Sequence, residues 1–315
     1  MNRTPKLPVS PYLALIGGVC AVSTGAIFAR LADAPALVVA AYRVGLACLI
    51  LLPVAFWKAR SELKTLKPGD FWMALASGFF LALHFAAWIS SLDYTSVANS
   101  VVLVNTNPLW VGLLAPLIAK EKIGRATMVG IAASVAGGFI IGLDDAAQGG
   151  RAVFGDVLAL AGGICAACYL LIGRRLRRKL SLLAYIMVCY GSAALILWGV
   201  VWLLDLPVTG FNPKTVKAFW AMALIPQLIG HTSANWALRH FSAALVAVSL
   251  LGEPLGSTIL AYLIFDEGLT WTKAIGGAVI LGAVYVAASG EKPEAAKRPS
   301  DRFPFKNKGQ RIPVA

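Results

Sequence analysis

The chain has 315 residues, of which 58% are hydrophobic and 14% charged, with a mean hydropathy of +0.74. A soluble domain carries roughly 25% charged residues, so this composition excludes an ordinary soluble globule and points to the bilayer as solvent. The net charge of +13 does not make a nucleic-acid binder, because Lys and Arg stand between apolar runs and not along one polar face.

Ten helical runs follow in chain order: about 11–29, 35–57, 71–92, 96–119, 126–143, 154–173, 182–204, 217–238, 242–264 and 271–289. A spanning helix needs about 20 apolar residues, and these runs have that length. Turn-forming punctuation separates them, as at Lys67-Pro68-Gly69-Asp70 and Phe211-Asn212-Pro213-Lys214. Arg3 and Lys6 before the first run, with Ala32-Asp33-Ala34 after it, imitate a cleavable leader. The run is too long for that, and it is read as a retained span. The five cysteines all lie inside apolar runs, and Cys165-Ala-Ala-Cys168 falls mid-helix, so neither a disulfide framework nor a metal site is expected. No cofactor is expected. Residues 290–315 are charged, proline-containing and aperiodic, the signature of a disordered basic tail.

Lys and Arg set the orientation. With a cytoplasmic N-terminus, 22 of the 28 fall on the cytoplasmic side and five outside, while Arg43 lies within a helix. Ten spans then put both termini in the cytoplasm.

An internal repeat organises the runs. Residues 92–130 aligned with the segment 146 positions later give twelve identities over 39 gapless positions. The informative ones are Ser96/Ser242, Pro108/Pro254, Glu121/Glu267 and Gly130/Gly276. Five helices per unit is an odd number, so the second unit must enter the membrane from the opposite side. The expected fold is an all-α integral membrane protein of ten transmembrane helices in two inverted five-helix repeats. Residues 1–10 form a cytoplasmic N-terminus, 11–143 the first repeat, 144–153 an external linker, 154–289 the second repeat and 290–315 the cytoplasmic tail. Inverted repeats are an architecture of alternating-access carriers, with the solute site near the midplane.

Several segments together resemble the drug/metabolite transporter superfamily, EamA type, over residues 11–289. They are Ala41-Tyr42-Arg43, Tyr94-Thr95-Ser96-Val97-Ala98-Asn99, Asn107-Pro108-Leu109, Lys120-Glu121-Lys122-Ile123, Gly252-Glu253-Pro254-Leu255 and Asp266-Glu267-Gly268. The family usually has Gly-Glu where this chain has Lys120-Glu121 and Asp266-Glu267. The resemblance implies a carrier of amino acids, metabolites or toxic organics, with the third, fourth, eighth and ninth helices around a central cavity.

Ionisable groups within a bilayer are costly and need a partner or a function. Glu253 precedes Pro254 and is read as a gating or proton-coupling carboxylate, able to pair with Arg43. Arg43 itself could meet an anionic solute. Pro108 and Pro254 are candidate hinges, since proline removes a backbone hydrogen bond. Gln227, His231 and Asn235 form an i, i+4, i+8 stripe on the eighth run, and His84 and Trp88 an i, i+4 pair on the third. Asn105 and Asn107 lie beside Pro108 on the fourth run, with Trp110 just beyond. These eight are the candidate solute-binding set. Trp88, Trp110, Tyr169 and Tyr190 could stack on a solute, whereas Trp57, Trp72, Trp202, Trp220 and Trp271 read as interface anchors. Gly130, Ser134, Gly138 and Gly142, and likewise Ala274, Ala278 and Gly282, read as close-packing ridges between the halves or between two copies.

No H-E-x-x-H, paired carboxylate or phosphate-binding loop appears in the sequence, so an enzyme is not expected. The expected function is a secondary transporter for a small organic solute in the cytoplasmic membrane of a bacterium, working as an exporter. Uptake or exchange without proton coupling is the alternative. Its expected partners are the solute, the lipid bilayer and protons, with no nucleic acid, as a monomer or homodimer.

Overall fold

The structure is a computed structural model that describes residues 10–120, 122–142, 150–266 and 271–289. The N-terminal segment, most of the external linker, Glu121, Glu267 and the tail lie outside the described residues. Regular structure among the described residues is helical, and helices cover each of the ten runs. The first run divides into α1 (Pro11–Val22) and α2 (Gly25–Leu31), followed by α3 (Ala36–Lys58), a short α4 (Arg60–Lys64) and α5 (Pro68–Ser91). The fourth run divides into α6 (Val97–Val104) and α7 (Asn107–Ile118), and α8 (Arg125–Gly142) closes the first half. The second half has α9 (Gly150–Arg177), α10 (Leu182–Leu203), then α11 (Pro213–Met222), a π-helical segment Ala223–His231 and α12 (Thr232–Ala237). It ends with α13 (Ala243–Leu250), α14 (Gly252–Phe265) and α15 (Trp271–Ser289).

The helix starts follow from local chemistry. Ser181, Asn212 and Ser242 each accept a hydrogen bond from the backbone N–H three residues on, filling one of the donors a helix leaves open. Pro68 and Pro213 stand in the first turn, where their missing N–H costs nothing.

Seven of these segments are long and apolar enough to cross a membrane: Pro11–Leu31, Ala36–Lys58, Pro68–Ser91, Ser100–Ile118, Arg151–Arg177, Leu182–Leu203 and Ala243–Phe265. Their outward faces carry large apolar side chains at positions such as Leu49 (64% exposed) and Leu195 (77%). A water-facing surface does not hold such a continuous apolar skin. The five interface tryptophans are all exposed near helix ends.

Boundaries in the two halves correspond at an offset of 146: Leu31 with Arg177, Ala36 with Leu182, Val97 with Ala243 and Arg125 with Trp271. One pair departs. Pro68 and Pro213, which open the third and eighth runs, are 145 apart. The eighth run makes up the difference: its α, π and α pieces hold 10, 9 and 6 residues against 24 in α5. A π bulge is how a helix takes in one extra residue without shifting both ends.

The helices pack mainly as α5 on α9, α8 on α15 and α3 on α10. Gly130 on α8 is indispensable to its crossing, since a Cβ there would lie 2.8 Å from Ala287 Cβ and 2.9 Å from the Ala283 carbonyl oxygen. The ridge expected on the tenth run does not form this seam. Ala274, Ala278 and Gly282 face outward, and Gly276, Ala283 and Ala287 are buried instead, because the α8–α15 contact follows a different face of the helix.

Candidate functional site

The breaks in the fourth and ninth runs fall at Asn105–Thr106 and Leu251, repeat-equivalent places. Both strands of helix stop and restart there, so each run is two half-helices and not one bent rod. Asn107 and Glu253 are equivalent positions, 146 apart, and each stands just before its proline. Pro108 and Pro254 therefore open the second half-helix of each run. The kink expected from each proline is instead a restart, since proline suits a first turn.

Around these breaks lies a small cavity, lined from both halves by Arg43, His84, Trp88, Asn105, Asn107, Tyr169, His231 and Glu253, among others. Its volume, counted over positions a water centre can occupy, is about 40 Å³. A water needs roughly 10–15 Å³ on that measure, so the cavity has room for a few waters and no drug-sized solute in this conformation.

Arg43 anchors one wall. It is 1% exposed, its Nε donates to Gln227 Oε1 at 2.9 Å, and its guanidinium carbon lies 4.0 Å from the Phe85 ring centroid. Its Nη1 is buried without a hydrogen-bond partner. His84 Nδ1 donates to the Gly162 carbonyl oxygen at 3.0 Å, which fixes the tautomer. That bond requires α9 to approach α5 closely. Gly162 permits it, since a Cβ there would sit 3.3 Å from the His84 carbonyl and Trp88 Cβ. The next glycine does the same for α6, where a Cβ on Gly163 would lie 2.7 Å from the Val104 carbonyl oxygen.

Asn105 Nδ2 donates to the Val101 carbonyl at 2.8 Å and, at a long 3.4 Å, to Glu253 Oε2. Glu253 makes no ion pair with Arg43 among the described residues, although both line the cavity. The break at Leu251 also separates Ser249 from Glu253, and both Ser249 and Ser257 turn their hydroxyls to backbone carbonyls.

The eighth-run stripe divides three ways. His231 reaches the cavity, 5.1 Å from the Phe85 ring centroid and 6.1 Å from that of His84. Gln227 holds Arg43, and Asn235 Nδ2 donates to the Tyr169 and Tyr190 hydroxyls. The wider π turn rotates residues that an α-helix would have aligned. Trp110 is half-buried, is not among the lining residues, and its Nε1 has no partner. Phe85, which supports Arg43, was not singled out in the sequence. Its signal was the repeat, since it is the equivalent of His231 at the 146-residue offset.

Residues 9–143 and 153–289 match the EamA-like transporter family. The chain belongs to that family. An uncharacterized transporter of Archaeoglobus fulgidus is 28% identical over 79% of this chain and 86% of its own length. The uncharacterized transporter YetK of Bacillus subtilis is 24% identical over 91% of this chain and 89% of its own. A riboflavin transporter of Rhizobium johnstonii is 28% identical over 45% of this chain and 49% of its own. A crystal structure shares the fold, with a TM-score of 0.72 at 19% identity, over 89% of this chain and 96% of that one. The protein is thus a multi-pass membrane transporter of the EamA kind.

This EamA-like transporter has two repeat-equivalent contacts between its halves. Lys179, just after α9, meets Asp70 in the first turn of α5 at 2.7 Å. The equivalents are Asp33, just after α2, and Thr215 in the first turn of α11. There the Asp33 backbone N–H donates to Thr215 Oγ1 at 3.0 Å. The same pair of positions is joined by an ion pair between side chains in one place and by a neutral backbone-to-hydroxyl bond in the other. The departure from the family's usual Gly-Glu also has a structural reading. Lys120 and Asp266, each ending its run, adopt φ of 56° and 55°, the left-handed region where glycine is at no disadvantage.

Proposed function

We propose that all ten runs cross the bilayer as two inverted repeats with both termini cytoplasmic. On this reading the protein is a secondary carrier that exports a small organic solute, an amino acid, a metabolite or an amphipathic compound, across a bacterial cytoplasmic membrane by alternating access. One observation carries the proposal: residues beside the half-helix breaks of both repeats line one small cavity, with Asn107 and Glu253 at equivalent positions on it. Discontinuous helices around a midplane site are how carriers expose one site to either side. The small cavity volume supports an occluded conformation, from which rocking about the breaks would open one side or the other. Glu253 is the coupling residue of this scheme, as the acid that lines the cavity, and Pro108 and Pro254 mark its hinges. His84, Trp88, Asn107 and His231 make the solute contacts, and Asn105 supports Glu253.

The test is solute flux in proteoliposomes under an imposed pH gradient. The panel should contain amino acids, small metabolites and riboflavin, for wild type and Glu253→Gln. Gradient-driven flux lost in the variant with counterflow kept supports proton-coupled transport. Equal, pH-indifferent flux in both proteins makes this a facilitator or exchanger and removes Glu253 from coupling. Absence of flux for every panel member counts against transport of these solute classes.

A further inference from the structure

A hollow far from the central cavity lies on the seam between α3 and α10, one helix from each half. Gly45 and Gly191, Cys48 and Ala194, and Leu49 and Leu195 are pairs at the offset of 146, and all six line it. It measures about 400 Å³, against about 40 Å³ for the central cavity on the same measure. It opens on the outer surface of the bundle, since Leu49 is 64% exposed and Leu195 77%, while Gly45 and Ala194 are buried.

The symmetry of this seam breaks at one equivalent pair, Leu52 and Trp198. The Trp198 indole covers Gly45 so closely that its Nε1 is 2.6 Å from where a Cβ on Gly45 would stand. Leu52 is 50% exposed and gives Gly191 no such cover. A Cβ on Gly191 would meet Cys48 Sγ at 3.8 Å and Met187 Cε at 3.9 Å, ordinary contacts with room beyond them. The chain therefore fills one of two equivalent hollows with its own side chain and leaves the other open. The lining gives a polar ligand nothing to bond. Tyr42 turns its hydroxyl to the Val208 carbonyl oxygen, the Trp198 nitrogen lies against Gly45, and the other lining residues are apolar or cysteine. A water needs roughly two to four polar partners, so water does not suit the hollow. An unfilled hollow forfeits dispersion contacts along its walls, and inside a bilayer such packing is what favours association.

Both helices are long and apolar enough to cross a membrane. On α3 the groove runs from Tyr42 to Leu49, about two turns or roughly 10 Å, well inside Ala36–Lys58. At that depth a bilayer supplies hydrocarbon chains. We propose that this groove is a binding site for one acyl chain of a membrane phospholipid. The chain lies along the α3–α10 seam and gives Gly191 the cover that Trp198 gives Gly45. A second copy of the protein fits less well, because nine residues line the groove and a stable interface engages roughly 20–30 residues a side. The site is independent of the solute and of its coupling, since it requires α3 and α10 to span the bilayer and nothing more.

The probe is a phospholipid with a photoactivatable diazirine part-way along one acyl chain, present as a trace in nanodiscs of ordinary phospholipid. Adducts are mapped by mass spectrometry of peptides. Leu113 on α7, 63% exposed, is the reference for chance contact with lipid, matched to Leu49 at 64%. Adducts at Cys48 and Leu49 should exceed those at Leu113. Gly191→Phe plugs the groove and should remove the excess while leaving the adducts at Leu113. Gly191→Ala controls for the loss of glycine and should keep the excess. Ala194→Leu plugs the groove from the neighbouring turn, and it decides the matter if Gly191→Phe melts earlier than wild type. Adducts at Leu49 no denser than at Leu113, or an excess unchanged by plugging, overturn the proposal and leave ordinary surrounding lipid. A wild type without groove adducts that is dimeric by light scattering, and monomeric as Gly191→Phe, overturns it in favour of a second copy.

Discussion

Replacing Lys179 by Gln removes one half of the ion pair that ties the α9–α10 turn to the start of α5. Lys179 Nζ and Asp70 Oδ1 are 2.7 Å apart, with side chains 47% and 12% exposed. An exposed pair contributes about 0.2–1 kcal/mol, and the limited exposure of Asp70 puts this one at about 0.5–1 kcal/mol. Because 1.4 kcal/mol is a factor of ten, the pair shifts the local open–closed ratio by roughly two- to fivefold. Asp70 has a second role, since a carboxylate in the first turn of α5 also meets the positive end of the helix, for about 0.3–1 kcal/mol. Asp70→Asn should therefore cost more than Lys179→Gln, and only a double-mutant cycle isolates the pair. The assay is amide hydrogen exchange of the α9–α10 turn. There the Ser181 N–H donates to Glu62 Oε1 at 2.8 Å, a second tie between the halves at the same place. Exchange of this amide should rise two- to fivefold in Lys179→Gln at low salt, the double variant should exchange no faster than Asp70→Asn alone, and the charge swap Asp70→Lys with Lys179→Asp should recover part of the loss. The neutral contact between Asp33 and Thr215 should show no such salt dependence. Unchanged exchange in Lys179→Gln, or strict additivity in the cycle, would refute the pair as a tie between the halves.

Two further expectations concern stability. Lys120→Gly should stabilise the protein by about 0.5–1 kcal/mol, read as a higher melting temperature, because lysine is strained at a φ of 56° and glycine is not. Asp266→Gly at a φ of 55° should gain less, since aspartate tolerates this region better; a larger gain at Asp266 would contradict the explanation. His240, in the turn between α12 and α13, is 4% exposed. Burial, and then the charges of Arg239, Arg177 and Arg174, hold its imidazole below the usual 6.5. A lowered folded-state value means the unfolded chain takes up the proton first. The stabilisation is thus complete above about pH 6.5 and is lost as pH falls below it. Thermal denaturation from pH 7.5 to 5 should show this decline in wild type and a flatter profile in His240→Gln. Parallel profiles would remove His240 from the acid response.

The sequence alone determined the solvent, the helical class and the repeat. These depend on run length, charge placement and identities such as Pro108/Pro254 and Ser96/Ser242, which are properties of the chain read in order. It also gave the family resemblance, and it marked His84, Trp88, Asn105, Asn107, His231, Glu253 and Arg43, since polar groups are conspicuous in apolar runs. Tertiary structure decided how those residues divide. Gln227, His231 and Asn235 look like one stripe at 3.6 residues per turn. The π segment that absorbs one extra residue gives each a different neighbour, and no local pattern announces that change of pitch. Pro108 and Pro254 look like kinks but open new half-helices, because the chain restarts around a cavity that exists only when both repeats meet. Phe85 is an unremarkable apolar residue until Arg43, from another helix, is laid across its ring.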